Sequence, residues 1–130
     1  MPTATKAASR QPHLLLLEYP EDAKQPSPQQ LKEIMARFQV WMEGLCAEGR
    51  VLATNGLELT GKMLRGPIGE TVVTDGPYAE GKEVVGGYVL LNPCTMAQAV
   101  AAAKKCPGLD YRMIVEVRPV AHGTGTDSRG

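Results

Sequence analysis

The chain reads as one α+β domain in which two amphipathic helices cover one side of a sheet. Three observations predict it. An unbroken apolar run, Leu14 to Leu17, opens the chain as a strand; helix start signals stand at Ser27 and at Thr95; and short strand-like segments lie between the two helices and after the second. With 130 residues there is room for one domain and one modest core. Residues 1–12 and 121–130, polar and rich in small residues, read as flexible ends around a domain over 13–120.

Each element follows from local chemistry. Leu14 to Tyr19 is a strand whose continuous apolar run predicts burial on both faces. Ser27 is placed to cap the first helix, Pro28 suits its first position, and Gln30 completes a capping box. Leu31, Ile34, Met35, Phe38, Trp41, Met42 and Leu45 recur at steps of three and four and build one apolar stripe, which Gly49 terminates. Val51 to Leu59 is a second strand interrupted at Asn55-Gly56, either as a tight hairpin or as a bulge. Lys62 to Arg65 and Glu70 to Thr74 flank Gly-Pro-Ile-Gly, a hairpin loop. Val84 to Leu91 is a further strand with a weak point at Gly86-Gly87. Thr95 and Gln98 form a second capping box, opening a helix with a small-residue face that Pro107-Gly108 closes. Tyr111 to Val117 alternates as the last strand, placing Glu116 opposite Val115 and Val117.

The order of strand, helix, strands, strand, helix and strand is the ferredoxin-like split βαβ pattern with an additional β-hairpin. Both helices fall on one face of such a sheet. The other face is apolar and has no layer of its own, so a second sheet should pack there; a homodimer is the economical solution.

Composition narrows the function classes. The formal net charge is zero, with 14 basic and 14 acidic residues scattered along the chain, which disfavours nucleic-acid binding. Three cysteines without a CxxC pair and two histidines offer no tetrahedral metal set and suggest a reducing, cytoplasmic setting; Cys46 and Cys106 read as small core residues. No segment is long and apolar enough to predict a membrane span. Phosphate-loop, dinucleotide, serine-hydrolase and zinc-protease motifs are absent, and no cofactor is expected.

The stretch TDGPYAEGKE, Thr74 to Glu83, is the candidate site. Together with the flanking residues, VVTDGPYAEGKEVVGGYVLL resembles the signature of the DGPF group within the YciI-like (YCII-related) family, and LLLLEY and VEVRPV resemble that family's opening and closing strands. The resemblance covers roughly His13 to Val120 and implies a dimeric α/β-barrel of ferredoxin-like subunits. It also implies a His–Asp pair. Asp75 stands at the Asp position, while the segment expected to carry the His, Glu18 to Ser27, contains none. Tyr78 replaces the more usual Phe.

Two functional readings follow. In the first, the protein is a cofactor-independent enzyme acting on a small metabolite: Asp75 is the acid/base, Tyr78 lines the pocket, Arg118 anchors an anion, and Glu18, a carboxylate ending a buried strand, contacts the substrate. In the second, it is a non-catalytic dimer that binds a ligand or a protein, with transcriptional regulation suggested by the company DGPF relatives keep with sigma-factor-like sequences. Asp75 in a bend before Gly76-Pro77 is also an ordinary turn residue.

Overall fold

The computed structural model describes residues 9–20, 26–76 and 83–121. The elements are β1 (Gln11–Pro20), α1 (Pro28–Ala47), β2 (Val51–Gly56), β3 (Gly61–Arg65), β4 (Val72–Gly76), β5 (Glu83–Cys94), α2 (Met96–Ala103), a 3-10 turn (Pro107–Tyr111) and β6 (Ile114–Pro119). Four strands form an antiparallel sheet in the order β2-β5-β1-β6, and β3 and β4 pair as a separate two-stranded sheet. This α+β arrangement is consistent with the split βαβ pattern plus a hairpin. No helix among the described residues is long and apolar enough to cross a membrane.

Both helices begin as their sequences dictate. The Ser27 hydroxyl accepts from the Gln30 backbone N–H while the Gln30 side chain accepts from the Ser27 N–H, and Thr95 and Gln98 repeat the exchange. Gly49, at φ +69°, adopts the left-handed conformation that ends α1.

The core lies between the helices and one face of the sheet. Leu15 and Leu17 of β1 join Val89 and Leu91 of β5, Trp41 and Leu45 of α1, and the small α2 residues Ala99, Ala102 and Ala103. The alanines let α2 approach closely. The Trp41 indole N–H donates to the Ala102 carbonyl at 3.1 Å, which ties the two helices together inside the core. Each fully buried Leu or Val contributes roughly 1.5–3 kcal/mol of transfer free energy.

Several local expectations are revised. The first strand starts at Gln11, within the segment read as an arm: the Gln11 side chain donates to Val120 O, and the Val120 N–H donates to Pro12 O. The apolar run of β1 is not buried on both faces, since Leu15 and Leu17 are buried while Leu14 and Leu16 are half-buried on the side that bears no helix. The stripe of α1 is packed only from Phe38 onward, and Leu31 and Met35 stand in solvent because the first turns project past the core. Cys46 is exposed, on the outer side of α1, rather than a core residue; Cys106 is buried. Asn55-Gly56 ends β2 without forming a hairpin, and the irregularity in that strand falls between Val51 and Ala53. Helix α2 stops at Ala103, before Pro107-Gly108, which open the 3-10 turn, and Tyr111 belongs to that turn rather than to β6.

The Gly86-Gly87 pair has a structural reason. Leu17 pairs with Gly87 and Glu18 with Val85, so Gly86 is the extra residue of a bulge. A Cβ at Gly86 would come within 2.5 Å of the Tyr19 ring, which lies against the bare backbone there.

Candidate functional site

The residues singled out by sequence fall in two separate places. Asp75 is in β4, on the hairpin. Glu18 and Arg118 are in β1 and β6, on the open face of the four-stranded sheet. Tyr78 and residues 77–82 lie outside the described residues, as does the second half of the signature loop.

Asp75 owes its setting to hairpin register. Gly66 and Gly69, both at positive φ, close the loop and place Lys62 directly opposite Asp75. The Lys62 ammonium donates to the Asp75 carboxylate at 2.6 Å, and the Asp75 side chain is 88% exposed. The carboxylate is therefore an ion-paired, solvated group in this chain. Arg118 faces Glu116, Nε to Oε2 at 3.8 Å. Sequence reasoning missed Lys62, because a loop of Gly-Pro-Ile-Gly alone would set Arg65 against Glu70, whereas Arg65 pairs with Val72 and Lys62 with Asp75.

The open face follows from strand parity. Leu14 lies between Leu90 and Arg118, Leu16 between Tyr88 and Glu116, and Glu18 between Val85 and Ile114. The result is an apolar centre with two carboxyl groups and one guanidinium toward the β6 edge. The Glu18 carboxyl is held above its ordinary titration range. Partial burial is the main cause; a hydrogen bond with Glu116 and the repulsion of Glu116 and Glu83 push the same way. The pairing of Glu18 with Glu116 was not legible in sequence, because it depends on β1 and β6 becoming neighbours across almost the whole chain.

His13, which is buried, and Cys94, which is half-buried, meet at the sheet end. His13 is 2% exposed, its Nδ1 2.8 Å from Gln11 O and 3.6 Å from Cys94 Sγ. Burial raises the Cys94 thiol, against the opposing pull of Arg50 and Arg10, so it rests as a neutral thiol rather than an activated nucleophile. Cys94, Arg10 and Asn92 border a small cavity of about 190 Å³ at the sheet end. A larger groove of about 600 Å³ runs between α1 and α2 on the outer side of the helix layer, with Val40, Trp41, Ala101 and Lys105 among its walls. Neither space is lined by Asp75.

The family model of the YCII-related domain matches residues 13–122, most of the chain, and the chain belongs to that family. No curated protein matches it.

Proposed function

We propose that this YCII-related protein is a homodimeric, non-catalytic binding module whose open sheet face is given over to a second copy of the chain. The setting of Asp75 carries the non-catalytic part of this reading. A general base works from a cleft, within reach of a substrate proton and with its pKa tuned toward neutrality. Asp75 is instead 88% exposed and ion-paired with Lys62 across the hairpin. Support for the dimer comes from the register of Leu14, Leu16, Tyr88 and Leu90, which forms an apolar surface of the kind that a second sheet covers. Free cysteines throughout the described chain fit a reducing, cytoplasmic location.

A metabolite screen read for both thermal stabilisation and compound turnover tests the proposal. The expected result is that stabilising compounds act equally on the wild type and on Asp75→Asn, and are recovered unchanged. Consumption of a compound by the wild type that disappears in Asp75→Asn would restore the enzyme reading, with Asp75 as its acid/base.

A further inference from the structure

We infer that the groove between α1 and α2 is a binding site for an aromatic carboxylate, a planar apolar body bearing one negative charge. The inference rests on the binding-module reading and names its site and ligand class.

The shape comes first. Ala36 and Gly44 on α1 and Ala101 on α2 are too small to fill the space between the helices, leaving about 600 Å³ open around Val40, which is 69% exposed. That volume is in the usual range for small-molecule sites. A large apolar side chain standing in solvent with an open groove beside it gains by being covered.

The floor is rigid and offers no hydrogen bonds. The Trp41 ring packs edge-on against Phe38 with centroids 6.0 Å apart, and its one N–H is already donated to Ala102 O. A ligand therefore meets the ring and Val40 as hydrocarbon. A flat aromatic body suits this surface better than a sugar or a polar chain, whose hydroxyls would be left without partners there.

The rim supplies the charge. Of the three cations lining the groove, Arg37 is held by Asp110 at 2.8 Å, and Arg50 lies 3.5 Å from Glu48. Lys105 makes no ion pair among the described residues. Its ammonium can meet one carboxylate at the rim, where the other charged side chains of the lining, Arg37, Arg50 and Glu48, are already engaged in ion pairs.

The test is an NMR titration of the isotope-labelled full chain with 2-naphthoate and with its uncharged isostere 2-naphthamide. Expected are shifts of the Val40 methyls and the Trp41 Nε1–H, with 2-naphthoate binding roughly tenfold tighter than the amide, about the value of one charge contact. Lys105→Glu should weaken the naphthoate roughly tenfold and leave the amide unchanged. Val40→Asp, at an exposed position that leaves the core intact, should remove both. Equal affinity for acid and amide overturns the proposal, and so does indifference to Lys105→Glu or a shift pattern confined to the open sheet face. Groove resonances that move when the protein alone is concentrated would assign the groove to a second copy instead. Turnover lost in Asp75→Asn would sink the binding-module reading without touching these shifts, so the two failures are separable.

Discussion

The four-stranded sheet and the β3–β4 hairpin are built from similar residues and behave oppositely. In the sheet, Leu15, Val89 and Leu91 are buried to 2% exposure or less beneath α1 and α2. In the hairpin, Leu64, Val72 and Val73 are all more than half exposed, and Ile68 at the loop is fully so. Turn chemistry alone shapes the hairpin, and an isolated two-stranded ribbon is marginal in water. The contrast shows that stability resides in one region while the first residues of the family signature, Val72 to Gly76, sit in another, whose apolar side chains gain cover only from outside their own element.

The comparison can be broken most forcefully at Trp41. Trp41→Ala removes the largest core side chain and its hydrogen bond to Ala102 O, and should cost about 3–5 kcal/mol in chemical denaturation. Leu15→Ala, at a position with 0% exposure, should cost about 2–5 kcal/mol. A loss below about 1 kcal/mol at either site would show that the core lies elsewhere.

A smaller effect is expected at the helix start. Ser27→Ala removes the acceptor for the Gln30 N–H and should lower stability by about 1 kcal/mol, again by denaturant midpoint. The same-sized truncation in the hairpin, Val73→Ala, should change the stability of the isolated chain by no more than about 0.5 kcal/mol. A loss at Val73 matching that at Leu15 would abolish the contrast between the two regions.

Glu18 sharpens it by pH. A carboxyl whose folded pKa is raised binds its proton more tightly in the folded state, so its stabilising contribution is fully present below the ordinary glutamate range. That contribution is lost as pH climbs from this range through the raised folded value. Denaturation midpoints of the wild type should therefore fall across that window relative to Glu18→Gln, whose side chain does not titrate. Identical pH profiles would show that Glu18 does not hold its proton more tightly on folding. The least effect is expected for Asp75→Asn, at most about 1 kcal/mol and shrinking with added salt, since both partners of the Lys62 pair are largely exposed.

Much of this architecture was legible in the residues. Both helix starts, the Gly49 stop, the Gly-Pro-Ile-Gly hairpin and the opposite facing of Val115 and Glu116 are local decisions, made by side chains a few positions apart, and the sequence pattern contains them. The failures are matters of distance along the chain. The run Leu14 to Leu17 announces a buried strand, but which alternate residues are sheltered depends on where α1 and α2 come to rest. Cys46 sits beside apolar neighbours in sequence and still points outward, because helical periodicity rather than local composition sets its direction. At the candidate site, Asp75 was found by its motif, the Lys62 pair needed the observed hairpin register, and the Glu18–Glu116 pair needed the topology itself.

Sedimentation equilibrium of the purified chain at micromolar concentration tests the account most directly, with Leu16→Lys run beside the wild type. Leu16 is half-buried on the open face and outside the core, so the variant keeps the fold, which its circular dichroism can verify. The account predicts a wild-type mass of twice the 14.0 kDa chain and a folded monomer for Leu16→Lys. A wild type that sediments as a 14.0 kDa monomer would contradict it, because the apolar face formed by Leu14, Leu16, Tyr88 and Leu90 would then stand in water without a partner.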